Sequence, residues 1–106
     1  MPKYLIQASY VGDGVKGLLK EGGTSRRAAT ERAVKSLGGT LEAFYYAFGE
    51  TDAYAIVDVP DNASMAAIAL TAGASGAIAV KTTVLLSAEE VDEAVKKAPS
   101  HHPPGD

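Results

Sequence analysis

The stretch from Leu41 to Val59, LEAFYYAFGETDAYAIVDV, does more than any other to limit what this chain can fold into. Two apolar, aromatic-rich runs flank Gly49-Glu50-Thr51-Asp52, a cluster of turn-forming residues, and the pattern reads as a β-hairpin. Side chains alternate faces along a strand, so a one-residue slip would move every one of them to the other side. An even-numbered turn sets Phe48, Tyr46 and Phe44 opposite Ala53, Ala55 and Val57, large against small, and predicts this as the face packed under helices. The other face then carries Ala43, Tyr45, Ala47, Tyr54, Ile56 and Asp58, again with large residues set against small ones. Its hydroxyls and carboxylate make it the side on which function is expected.

Ahead of the hairpin, Lys3 to Tyr10 predicts a first strand with Tyr4, Ile6, Ala8 and Tyr10 on one face and Leu5, Gln7 and Ser9 on the other. Gly12 to Leu19 opens a helix on Val15, Leu18 and Leu19. Gly22-Gly23 interrupts it, since two glycines cost about 2 kcal/mol of helix propensity against alanine. Thr24 or Ser25 is expected to cap the restart, whose inner stripe is Ala29, Ala33, Val34 and Leu37, and Gly38-Gly39 ends it in a left-handed cap. After Pro60, Asp61 or Asn62 caps a helix from about Ala63 to the Gly73 to Gly76 region, with Met65, Ile68, Ala69 and Ala72 inward. So rich in alanine, that helix is expected to sit close to its sheet. Ala77 to Leu86 reads as a fourth strand covered on both sides. Ser87 with Glu90 forms a capping box for a last helix through Ala98. Residues 1–98 thus read as one domain and 99–106, PSHHPPGD, as a disordered tail.

Strand, helix, strand, strand, helix, strand and a terminal helix is the ferredoxin-like βαββαβ plan, an α+β fold with both crossing helices on one side of a four-stranded antiparallel sheet. The other side, with Leu5, Tyr45, Tyr54 and Ile56, would be bare in a monomer. Aromatic side chains bury on the order of 150–250 Å² each, so roughly 600–800 Å² would lie exposed. Covering it is worth roughly 15–20 kcal/mol gross, against an association cost of about 4–15 kcal/mol. A homodimer packed sheet to sheet is therefore expected.

The formal charge of -3, with 46% hydrophobic and 22% charged residues, supplies no basic field for nucleic acid. There is no cysteine, so disulfides, thiolate zinc sites and a cysteine nucleophile are excluded. MPKYLIQASY has no apolar segment of signal-peptide length, and a cytoplasmic location is expected. Asn62 to Val80 is uncharged and nearly long enough to span a bilayer, but its alanines and glycines point to a buried helix and strand and not to a membrane. The only histidines, His101 and His102, lie in the tail, which leaves no internal histidine for haem or acid-base work, and no metal or cofactor is expected.

Gly14 and Gly17 at the first-strand exit, the turn Gly49-Glu50-Thr51-Asp52, Pro60-Asp61, and Gly76 followed by Lys81-Thr82-Thr83 together resemble the GYD domain proteins, small bacterial and archaeal proteins of the dimeric α/β-barrel type. The resemblance runs from Lys3 to about Ala98. It implies fold and dimerisation and no particular chemistry. The family turn usually has Tyr before its Asp, where this chain has Thr51; Gly49 and Asp52 match.

Gly12-Asp13-Gly14-Val15-Lys16-Gly17 spells GxGxxG between a strand and a helix, but the acidic residue expected about 20 residues on is replaced by Leu37-Gly38-Gly39, and the next strand returns as a hairpin. The motif reads as a turn with helix-to-sheet clearance, where Lys16 could meet an anionic group. Asp52 is suited to bonding backbone amides in its turn. Asp58 on the sheet-to-sheet face, beside Gln7, Ser9, Tyr45 and Tyr54, could form a polar ligand pocket and is the candidate catalytic base; its plainer role is a solvated residue at the barrel mouth or a dimer salt bridge. Lys81 reads as an edge residue with its head in water. Three functions fit: a small-molecule binding dimer without an assigned reaction, a cofactor-free isomerase or monooxygenase using Asp58 or Asp52 as base, and a structural subunit of a larger homo-oligomer.

Overall fold

The hairpin turns where the sequence places it, and the rest of the sheet assembles on it. The computed structural model describes residues 1–105. Its elements are β1 (Lys3–Tyr10), α1 (Gly14–Glu21), α2 (Gly23–Ser36), β2 (Thr40–Tyr46), β3 (Ala53–Asp58), α3 (Asn62–Ala74), β4 (Ile78–Leu85) and α4 (Ala88–Lys96). The strands form one antiparallel sheet in the order β2-β3-β1-β4, the ferredoxin-like α+β arrangement.

The hairpin register differs from the expected one by two residues. Tyr46 pairs with Ala53 and Phe44 with Ala55, while Phe48 takes no part in the ladder. Phe48 has φ 57, in the left-handed region, and its ring stacks on Tyr46 at 5.7 Å. The chain therefore leaves the strand two residues early and turns through a wider loop, held by Ala47 N–H donating to the Asp52 carbonyl at 2.9 Å. A two-residue shift preserves both faces. On the open face Tyr45 meets Tyr54, large against large, while Ala43 meets Ile56, small against large. A bulge between Leu41 and Ala43 then brings Glu42 to Lys3.

Two expected helix ends are confirmed in atomic detail. Asp61 caps α3 by accepting from Ser64 N–H at 2.8 Å, and that bond holds its carboxyl below the usual value. Ser87 and Glu90 exchange both bonds of the capping box that starts α4. The start of α2 departs from expectation, because neither Thr24 nor Ser25 caps it. Gly22, at φ 83, turns the chain, and the helix begins at Gly23 with no side-chain cap. The reason is Tyr46: its hydroxyl donates to the Gly23 carbonyl at 2.9 Å, and a Cβ on Gly23 would lie 3.0 Å from its ring.

Tyr4, Ile6, Val34, Val57, Val59 and Met65 form the core between the sheet and helices α2 and α3. Tyr4 spans this layer and donates its hydroxyl to Asn62 Oδ1, fixing the start of α3 over β1. The expectation that β4 is covered on both sides fails. Lying at the sheet edge with β1 as its one neighbour, it leaves Ala79, Lys81, Thr82, Thr83 and Val84 exposed. Every residue of α4 is exposed, including the apolar pair Val91 and Val95. Residues 99–105 carry no helix or strand, and Asp106, the end of the predicted tail, lies outside the described residues.

Candidate functional site

Side-chain volume falls along the two central strands on the core face, and that gradient makes a cavity. At one end Val57 of β3 pairs with Tyr4 of β1; the next row is Ala55 with Ile6, and the next Ala53 with Ala8. The outer strands keep Phe44 beside Ala55 and Val80 beside Ala8. Over the shrinking floor, α2 presents Ala29 and Ala33, and α3 presents Ala67 and Ala72. The large residues at the packed end set the distance between helices and sheet, so the alanines at the other end cannot meet. A cavity of 450 Å³ results, where close approach of an alanine-rich α3 was expected.

The end of the cavity where β1 finishes and α2 begins is polar. Tyr10, Arg26, Thr30 and Ser75 line it. Arg26 is held by a single contact of Nη1 with Glu21 at 3.3 Å. Next to them, burial pushes the Tyr46 phenol up to about 12, the Tyr10 phenol adding to the shift and the Arg26 and Arg27 charges opposing it.

The residues expected to form a site lie on the opposite face of the sheet, and it gathers only some of them. Tyr45, Tyr54, Gln7 and Lys81 make one row across all four strands. Ser9 stands one row away and donates to the Glu50 carbonyl at 3.3 Å. Asp58 is four residues along β3 from Tyr54, about 13 Å at strand spacing. It pairs with Lys3 at 3.3 Å and stands 4.0 Å from the terminal ammonium of Met1, while its buried Oδ1 has no hydrogen bond. The Glu42 contact, with Asp58 adding to it, raises the pKa of Lys3. Lys16, exposed on α1, meets only Asp13 at 3.6 Å and joins neither group. Among the described residues no His, Cys, Asp or Glu cluster could hold a metal ion, and no helix is long and apolar enough to cross a membrane.

The GYD domain family model matches residues 4–95, nearly the whole folded chain. The chain belongs to the GYD domain family. No curated protein and no solved structure matches it.

In this GYD domain two of the residues that carry the resemblance, Gly14 and Asp52, hold elements together. A Cβ on Gly14 would stand 2.1 Å from the Ala77 carbonyl oxygen, so only glycine lets α1 rest on the entry to β4. That clearance accounts for the middle glycine of GxGxxG. Asp52 bonds a backbone amide, though one outside its own turn: its Oδ2 accepts from Tyr10 N–H at 2.8 Å. Gly49 has open space around it and an ordinary backbone angle. Sequence reasoning placed Tyr10 on the core face but assigned neither it nor Arg26 to a site. The signal that would have found them is the descent from Val57 to Ala55 to Ala53 against alanines on both helices.

Proposed function

We propose that this GYD domain is a small-molecule binding protein that works as a homodimer, each subunit holding one ligand in its helix-to-sheet cavity. The observation that carries the reading is the cavity: 450 Å³ is the size of a small-molecule site and far exceeds the voids of a close-packed interior. It has an apolar floor, two helical walls and polar groups at one end. The opposite sheet face, flat in a single chain, is better suited to a second copy than to a small ligand. Tyr45 is 71% exposed and Tyr54 36%, side by side on β2 and β3. At those exposures, with Leu5 and Ile56 already half-buried, the four side chains offer roughly 300–350 Å², about half of the 600–800 Å² expected for a bare face, so an interface of the standard ~800 Å² per partner would draw on the rest of that face as well.

A cofactor-free enzyme based on Asp58 draws less support, because Asp58 is engaged by Lys3 and lies on the other side of the sheet from the cavity. A larger ring has one feature in its favour, the exposed Val91 and Val95 of α4, and would show as a native mass above the dimer.

Native mass spectrometry of protein purified from its own host tests both parts. The expected species is a dimer with one adduct per subunit, and Ala55→Leu, which fills the cavity floor, gives a dimer without adduct. Adduct-free protein whose thermal midpoint rises with no apolar acid, alcohol or amine overturns the binding reading. A stable monomer at micromolar concentration overturns the dimer.

A further inference from the structure

The donors at the polar end define the head group of whatever fills the cavity. Several hydroxyls there are already committed to backbone carbonyls: Thr30 donates to Arg26 at 3.2 Å, Ser75 to Ala72 at 2.6 Å, and Ser36, at the other end, to Ala33 at 2.6 Å. Besides these the lining offers the guanidinium of Arg26 and the hydroxyls of Thr71 and Tyr10, the last also in hydrogen-bonding contact with the Tyr46 phenol. Arg26 is the one charged side chain among the described residues that line the cavity. Its side chain is 30% exposed, and its contact with Glu21 uses one of five N–H donors.

We infer that the ligand is an amphipathic monoanion, an aliphatic or aromatic carboxylate whose head meets Arg26 and Tyr10 and whose apolar body lies over Ile6, Phe44 and Ile68. The inference rests on the cavity being the ligand site. An ionised carboxylate only accepts hydrogen bonds, and the groups offered here are donors, a guanidinium foremost. A cation would find no carboxylate on the lining. A dianion such as a phosphate monoester would bring a second charge that one guanidinium does not balance. A neutral alcohol would fit the apolar part but leave the guanidinium unused.

Decanoate, decanol and decylamine share one chain and differ in the head, so calorimetric titration of the full chain with each separates the two claims. Decanoate is expected to bind about tenfold more tightly than decanol, the size of effect a charge-assisted hydrogen bond gives, and decylamine more weakly than either. Arg26→Gln should bring decanoate to within about threefold of decanol, and Tyr10→Phe should weaken decanoate by about threefold to fivefold. Ala55→Leu should abolish binding of decanoate and decanol alike. Decanol binding as tightly as decanoate, or a preference unchanged by Arg26→Gln, overturns the anionic ligand and leaves the cavity reading standing. Decanoate bound undiminished by Ala55→Leu, or none of the three bound, overturns both.

Discussion

Removing the Asp52 carboxylate should unlatch the end of β1. β3 begins at Ala53, opposite Ala8, so no β3 residue stands opposite Tyr10. Asp52 extends the ladder with its own backbone, donating to the Ala8 carbonyl at 2.9 Å, and its Oδ2 supplies the acceptor that Tyr10 N–H lacks, at 2.8 Å. Asp52→Ala leaves that half-buried donor unpaired, which costs about 1–3 kcal/mol, toward the lower half because water reaches the site. Asp52→Asn keeps an acceptor oxygen and loses the charge, so about 0.5–1 kcal/mol is expected. For a domain of this size the alanine variant should melt roughly 5–15 °C lower. The assay is urea and thermal unfolding followed by circular dichroism, at one protein concentration because dimerisation would move the midpoint. Equal losses in the two variants would show that charge and not acceptor geometry matters. Both variants within about 0.5 kcal/mol of the parent would refute the latch altogether.

Three further outcomes follow from the packing. Gly14→Ala forces a Cβ to within 2.1 Å of a backbone oxygen and should cost about 1–3 kcal/mol or more, whereas Gly17→Ala, with open space around it, should gain up to about 1 kcal/mol of helix propensity; urea midpoints read both. The Tyr46 phenol titrates at about 12 in the fold against 10.0 unperturbed, so its contribution to stability is complete below pH 10 and is lost as pH rises to 12. Tyr46→Phe should remove that part of the alkaline decline, measured as urea midpoint against pH. If the proposed dimer packs sheet to sheet, Tyr54→Lys puts like charges into that contact and should give a monomer in light scattering without lowering helix content, whereas an unchanged mass would refute the proposed packing.

The βαββαβ plan was legible because each junction carries its own chemistry in the sequence. Asp61 beside Ser64, Ser87 beside Glu90, and Gly38 at φ 79 after Leu37 all act where their residue types say they should. The hairpin faces were legible from alternation, but the register was not, since Phe48 entering the left-handed region depends on stacking against Tyr46. The cap of α2 was missed for a related reason: a distant aromatic ring on Gly23 decides the start, overriding Thr24 and Ser25. The cavity was not legible because it is outlined by small apolar residues, Ala53, Ala55, Ala29 and Ala33, and not by polar ones. Asp58 drew attention as a carboxylate on a strand, yet Lys3 directly across β1 already answers its charge.

The residues that mark the family and the residues that line the cavity do different work, and their positions show how. Among the family residues Asp52 latches Tyr10 and Gly14 seats α1 against Tyr10 and Ala77; Gly22-Gly23, not one of them, likewise lets α2 start on Tyr46. All of these junctions surround the polar end of the cavity, so they fix its outline through backbone contacts. Arg26, Ala29, Ala55 and Ala72 line the cavity within that outline. Changes of the first kind should therefore cost folding stability, and changes of the second kind should alter what is bound while the fold persists. Asp52→Ala and Arg26→Gln make the comparison directly: the former should lower the melting temperature by roughly 5–15 °C, the latter by no more than about 0.5 kcal/mol equivalent, since a partly exposed ion pair contributes little. A large loss of stability in Arg26→Gln would mean that Arg26 belongs to the frame, and the separation between frame and ligand site would fail.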